Sequence, residues 1–135
     1  MTPFRLKILT PERVLYDGEV QSVIVRTTVG DKGILAHHEP YVAALGIGQA
    51  KIKTAEGADR IGAVSSGIVE VTDEKTTILA QSFEWADEID VARAERARET
   101  AEEHLRQYKD DQRKLDIAEF KLKRAINRIS IAGRK

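Results

Sequence analysis

Residues 89–128 read IDVARAERARETAEEHLRQYKDDQRKLDIAEFKLKRAINR, from Ile89 to Arg128. Positions recur here in steps of three and four: Val91, Ala94, Ala97 or Arg98, Ala101, Leu105 and Tyr108, then Leu115, Ala118, Leu122, Ala125 or Ile126, and Ile129. This is the period of a helix with one apolar face. The spacing predicts a helix over about Val91–Lys109, close to ~30 Å long at ~1.5 Å per residue, and a second one after it. Lys109-Asp110-Asp111-Gln112 is the turn between them. The stripe of the first helix is mostly alanine, which lets two helix axes approach closely but buries little apolar area at about 25 cal/mol per Å². A hairpin of marginal docking stability follows.

Before this stretch the period is two. Phe4, Leu6 and Ile8 alternate with Arg5 and Lys7, and Ala50 and Ile52 alternate with Lys51 and Lys53, as in strands with one face in a core and one in water. Short β-rich runs recur at Val14–Tyr16, Val20–Thr27, Tyr41–Ile47, Ile61–Ala63, Ile68–Val71 and Thr76–Gln81. Thr10-Pro11-Glu12, Asp17-Gly18, Gly30-Asp31-Lys32-Gly33, Glu56-Gly57-Ala58 and Thr72-Asp73-Glu74-Lys75 are the turn sequences. Many short strands with no helical pattern between them predict an antiparallel sandwich or barrel rather than a parallel sheet with crossover helices.

The 135 residues suit one domain, or a small domain with an appendage. The 22 basic side chains balance the 22 acidic ones, which argues against a dedicated nucleic-acid or membrane-surface protein. No cysteine is present, so neither a disulfide framework nor a thiolate metal site is available. The N-terminus lacks the basic-then-apolar order of a secretory signal, and no apolar run reaches the roughly 18 residues of a membrane span. The expectation is a soluble, intracellular chain, complete as written.

Charge is segregated locally. From Glu84 to Glu103 the acids Glu84, Asp87, Glu88, Asp90, Glu95, Glu99, Glu102 and Glu103 outnumber Arg93, Arg96 and Arg98. From Arg113 onward Arg113, Lys114, Lys121, Lys123, Arg124, Arg128, Arg134 and Lys135 face only Asp116 and Glu119. An acidic helix and a basic one attract each other when folded together, and a basic helix alone seeks an acidic partner. Asp90, just ahead of the first helix, is most simply an N-cap, flanked by Ile89 and Ala94 as a hydrophobic staple. Arg124 and Arg128, four apart, share a helix face. That face is either solvated or an anion cradle, since guanidinium groups bind phosphate oxygens bidentately.

Other constellations are missing. There is no Walker-type glycine loop, no Gly-x-Ser-x-Gly elbow and no His-Glu-x-x-His. Adjacent His37 and His38 lack the spacing of metal ligands and any nearby third donor. No catalytic constellation is visible.

Over essentially its whole length the chain resembles the ε subunit of bacterial F-type ATP synthases. The resemblance is carried by Thr10-Pro11-Glu12, Tyr16-Asp17-Gly18-Glu19, Gly33-Ile34-Leu35 with His38 and Pro40, Gly67-Ile68-Val69-Glu70-Val71, Thr77-Ile78-Leu79-Ala80 and the hairpin. It implies an N-terminal antiparallel β-sandwich over residues 1–84 and a C-terminal two-helix antiparallel hairpin over residues 85–135. It also implies a non-catalytic subunit of the central rotor stalk, with the sandwich on the γ subunit and the membrane c-ring, and Asp31 and His38 at that interface. Membrane contact comes only through the complex, at the cytoplasmic face of the bacterial membrane.

In this family the hairpin is regulatory. Folded on the sandwich it is permissive; extended along γ, its basic second helix reaches an acidic stretch of a catalytic β subunit and opposes ATP hydrolysis. By this likeness Lys121, Lys123, Arg124 and Arg128 make the inhibitory contact. Some members bind ATP in the folded form, and the likeness places Glu84, Ile89, Asp90, Arg93, Ala94, Arg124 and Arg128 in that site, with Mg²⁺ left open. The chain departs from the pattern at Thr100, where the strongest ATP binders carry arginine. Ala36-His37-His38 replaces a common Pro-Gly-His, and Ser66 stands where glycine is common.

Two other classes remain beside this one. A nucleic-acid module would use the basic helix, but Phe120 is its only aromatic. An independent nucleotide hydrolase would need a base and a phosphate loop that are not visible.

Overall fold

A computed structural model describes residues 2–133. Residues up to Trp85 form one compact unit and those from Ala86 onward a second. The first unit contains six strands: β1 (Phe4–Leu9), β2 (Val14–Thr27), β3 (Gly30–Ile34), β4 (Tyr41–Thr54), β5 (Asp59–Val71) and β6 (Thr76–Trp85). They are ordered β1-β6-β5-β4-β2-β3, and a further β1–β2 ladder closes the sheet on itself. All pairings are antiparallel except β1–β6, which is parallel.

Closure depends on β2. Its first half, Val14 to Val20, pairs with β1, and its second half pairs with β3 and β4. A register shift between Val20 and Ser22 on the β4 side lies at this handover. One extra residue reverses side-chain parity, so Val20 and Val23 are both fully buried although three positions apart. The alternation seen in sequence supplies the core: Leu6, Ile8, Val20, Val23, Val25, Ile52, Val69 and Ile78 are at or near zero exposure. Phe83 and Trp85 meet edge to face at 4.9 Å, Tyr16 meets Trp85 at 6.3 Å, and the Arg60 guanidinium lies 3.8 Å above the Trp85 ring.

The sandwich expectation holds, with differences in detail. Asp17-Gly18, expected as a turn, lies inside β2 opposite Lys7 and Leu6. The Arg5 guanidinium grips the Asp17 carboxylate there, Nε to Oδ1 at 3.1 Å. Gly30 to Gly33, also expected as a turn, belongs to the edge strand β3, where Asp31 faces Arg26 across the ladder and forms an ion pair with it. Thr10-Pro11-Glu12, Glu56-Gly57-Ala58 and Thr72 to Lys75 are turns or bends as expected.

Both glycine-to-other departures from the family pattern sit in left-handed backbone. His37 has φ 63° and Ser66 φ 59°. That region is uncommon for residues with a Cβ. The Ser66 hydroxyl donates to the Gln81 side-chain carbonyl at 2.7 Å, which offsets part of the strain. The next residue tolerates no such exchange: Gly67 has φ 145°, and a Cβ on it would lie 2.2 Å from the Leu79 carbonyl oxygen.

Gly67→Ala is therefore expected to destabilise the sandwich by about 2–4 kcal/mol through backbone strain and overlap. This would lower the melting temperature of the full chain by about 10 °C or more. His37→Gly should leave it unchanged or slightly higher. Thermal denaturation followed by near-ultraviolet circular dichroism checks both. Arg5 also holds the Asp17 carboxyl below its ordinary range, chiefly through their hydrogen bond. That pair contributes stability above the ordinary carboxylate range and loses it as pH falls through the lowered Asp17 value. Asp17→Asn should accordingly flatten the acid side of the stability curve.

Candidate functional site

The second unit begins with a short 3-10 turn, Ala86–Glu88, followed by α1 (Val91–Gln107) and α2 (Gln112–Ala132). Each helix starts on an aspartate. Asp90 has extended backbone and its side chain accepts the Arg93 backbone N–H at 3.0 Å; Asp111 does the same for Lys114 at 3.1 Å. Carboxylates suit this position because they satisfy orphan N–H groups and complement the helix dipole. The cap reading of Asp90 is thus what the geometry displays, with Ile89 and Ala94 both buried beside it. Residues Tyr108 to Asp111 make the reversal, closed by the Asp111 N–H to the Tyr108 carbonyl at 3.1 Å.

The helices meet along small side chains. Ala94, Ala101, Ala118 and Ala125 are each no more than 1% exposed, whereas Leu105, Leu115, Leu122 and Ile129 are only half-buried.

The charge balance differs from the sequence expectation. Asp90 is the cap, Asp87 and Glu88 lie in the 3-10 turn, and Glu84 belongs to β6. Within α1, Glu95, Glu99, Glu102 and Glu103 are matched by Arg93, Arg96, Arg98 and Arg106, so α1 is neutral rather than acidic. Arg98 reaches Glu95 at 2.7 Å and Glu102 at 3.7 Å along its own helix. In α2, Arg113, Lys114, Lys121, Lys123, Arg124 and Arg128 outnumber Asp116 and Glu119, so the second arm is basic as expected.

Between the helices lies a groove of about 250 Å³. From α1 it is lined by Ala97, Thr100, Ala101 and His104, and from α2 by Lys121, Arg124, Ala125 and Arg128. The alanine seam is its floor and three cations are its wall. Arg124 lies with its guanidinium carbon 5.9 Å from the Phe120 ring centre. Arg93 precedes Ala97 by one turn, so its position continues the same face of α1. The groove thus brings together Arg124 and Arg128 of the expected site with Thr100. Asp90 and Ala94 sit in the turn that precedes it along α1, while Lys123 is exposed and outside it. Glu84 belongs to the sandwich unit, where it pairs with Ala63 across the β5–β6 ladder.

Two groove residues were missed as partners of the arginines. The family resemblance implies only an inhibitory contact for Lys121, and nothing in the sequence pattern draws His104 to the arginines. The i, i+4 relation of His104 to Thr100 was the available signal. Arg98, held by Glu95 and Glu102, is not a groove residue and does not replace an arginine at position 100.

The sandwich carries the other expected contact residues. Asp31 is exposed in β3 rather than in a loop, and His38 follows in the connection to β4. The His38 Nδ1 lies 2.7 Å from the Glu39 carbonyl oxygen, and its ring packs edge-on against Tyr41 at 5.7 Å. His38 also lines a cavity of about 330 Å³ with Phe4, Leu35, Pro40, Thr72 and Thr76. On the outer sheet surface Leu79, Ile68 and Ala44 are exposed, and successive ladders place them side by side, with Leu9 of β1 opposite Leu79. Among the described residues no group of three or more His, Asp or Glu side chains is placed to hold a metal. No helix there is long and apolar enough to cross a membrane.

Comparison with known proteins covers both units. Residues 3–86 match the family model described as ATP synthase, Delta/Epsilon chain, beta-sandwich domain, and residues 87–133 match the one described as ATP synthase, Delta/Epsilon chain, long alpha-helix domain. A protein of Ruminococcus albus named ATP synthase epsilon chain is 45% identical over the full length of both chains. One of Bacillus pumilus with the same name is 44% identical, covering 99% of this chain and all of its own. A chain in the Euglena gracilis mitochondrial ATP synthase structure, OSCP/F1/c-ring in rotational state 1, superposes with a TM-score of 0.81 at 22% identity. That match covers 98% of this chain and 82% of the other, and it speaks to the fold. With both units matched and the relatives spanned end to end, the chain belongs to the ATP synthase delta/epsilon chain family.

Proposed function

We propose that this chain is a non-catalytic rotor subunit of a proton-translocating F-type ATP synthase whose hairpin is a nucleotide-stabilised switch. The observation that carries the reading is the groove over the alanine seam, where Arg124 and Arg128 of α2 line one wall together with Lys121. Guanidinium and ammonium groups on a concave surface suit the oxygens of a triphosphate. Carboxylates suit the other end of ATP, so Asp90 takes the adenine amine or ribose hydroxyls, with Ile89 and Ala94 offering apolar contact. Arg93 joins the phosphates from the turn before the groove. Mg²⁺, if it accompanies ATP, is held by the phosphates rather than by a protein cluster.

The sandwich seats the chain in the stalk. The apolar row through exposed Leu79, Ile68 and Ala44, continued by half-buried Leu9, receives γ, and the end carrying Asp31 and His38 rests on the c-ring. The chain lies at the cytoplasmic face of the membrane, peripheral and bound through its partners.

Switching follows from which charges each state uses. Folded, Lys121, Arg124 and Arg128 line the groove; extended along γ, the same side chains with Lys123 meet acids of a catalytic β subunit and oppose hydrolysis. Bound phosphates and the β-subunit acids therefore compete for the same cations. ATP that binds only the folded form stabilises it by RT ln(1 + [L]/Kd), about 2.7 kcal/mol at roughly a hundred times Kd.

Calorimetry on the full chain should show saturable ATP binding. Arg124→Ala or Arg128→Ala should weaken it by about tenfold or more, as expected for loss of a charge-assisted contact. Asp90→Ser keeps an N-cap while removing the charge, so it should weaken ATP binding with helix stability nearly intact. In the assembled enzyme, a chain ending at Glu88 keeps all of β6 and should assemble normally while raising ATP hydrolysis. Unchanged hydrolysis would leave the hairpin without an inhibitory role.

A further inference from the structure

We propose that His104 is a phosphate ligand of the hairpin groove, supplying with Lys121 the positive charge that Thr100 does not, and that its imidazolium makes nucleotide binding respond to pH. This rests on the nucleotide reading of the groove given above.

The groove wall is built from two helices with unequal charge. All three of its permanent cations, Lys121, Arg124 and Arg128, come from α2. From α1 it receives two alanines, Thr100 and His104. Thr100 offers a hydroxyl but no charge, so His104 is the one α1 side chain lining the groove that can carry positive charge. It sits one turn beyond Thr100 on the same helix face, opposite the helix that bears the cations. Among the groove-lining side chains, a polyphosphate lying between α1 and α2 meets cations from both helices only when His104 is protonated.

The surroundings of His104 leave it suited to this task. The charged groups that share the groove with it from α2 are Lys121, Arg124 and Arg128, with no carboxylate among the groove-lining residues. On its own helix its ring lies against Tyr108, with centroids 5.2 Å apart and a tilt of 51°, and Lys114 Nζ sits 4.7 Å from the centre of that tyrosine ring. Tyr108 braces the imidazole from the side of the interhelical turn without supplying negative charge. Glu103 precedes it on α1 and Asp111 pairs with Lys114 at the interhelical turn, both outside the groove lining, so within the groove a bound anion would supply the negative charge that favours the imidazolium. Imidazole is also the one lining group whose ordinary titration falls between about pH 5 and 8. Binding of ATP would take up a proton on His104, and affinity would fall as pH rises through that range.

The test is calorimetry of the full chain with ATP at about pH 6 and about pH 8, in two buffers of different ionisation enthalpy so that proton uptake is counted. Comparison uses His104→Gln, which keeps size and polarity without charge, and His104→Lys, which is charged throughout the range. Titration of ATP itself is common to all three proteins and cancels between them. The parent chain should bind about tenfold more weakly at the higher pH relative to His104→Gln, with net proton uptake that the variant lacks. His104→Lys should bind tightly at both values. Equal pH slopes and equal proton counts in parent and His104→Gln would overturn the role of His104 while leaving the nucleotide site standing. Loss of affinity in His104→Lys to the level of His104→Gln would also overturn it. Absence of saturable ATP binding at any pH would overturn the nucleotide reading and this inference together.

Discussion

Contact between two rows of alanine methyls governs how the second unit behaves. Ala94 and Ala101 of α1 and Ala118 and Ala125 of α2 are the most completely buried side chains of the two helices over most of their length. Four buried methyls contribute on the order of 3 kcal/mol at about 0.8 kcal/mol per buried carbon. This is comparable with the stabilisation that a ligand at a hundredfold excess over its Kd supplies. A leucine seam would have exceeded it severalfold and left a ligand little to decide. Small side chains also bring the helix axes close enough for α1 and α2 to share one groove, so the weakness of the seam and the presence of the groove have the same cause.

The sandwich is built on the opposite principle. Its core is made of large aliphatic and aromatic side chains at near-zero exposure, and the β1–β2 ladder closes the sheet. Local backbone is held even where it is strained, as at His37 and Ser66. A rigid body and a second unit poised near balance are what the proposed rotor-mounted switch would require. The division of labour is already present in the side-chain volumes of the two units.

Much of this was legible in sequence, for identifiable reasons. The change of period from two to three-and-four marked the passage from strands to helices, because side-chain direction repeats differently in each. Arg124 and Arg128 could be placed on one face from their spacing alone. Asp17-Gly18 misled because a turn dipeptide inside a strand is held there by Arg5 on a neighbouring strand, a partner that local sequence does not specify. β3 was missed because a glycine-bounded edge strand has little apolar content of its own. The membership of His104 and Lys121 in the groove depends on how α1 and α2 align across the hairpin, and neither helix's periodicity determines that. The expected acidic first arm dissolved once the caps and the end of β6 claimed their carboxylates.

The proposed switch requires a hairpin close to balance and tipped by nucleotide. Amide hydrogen exchange on the full chain, with and without ATP, measures that balance directly. Amides of Val91–Gln107 and Gln112–Ala132 should exchange well before those of the central strands β5 and β6, and should slow by up to about a hundredfold at ATP near a hundred times Kd. Helices protected as strongly as the strands, and unaltered by ATP, would contradict it.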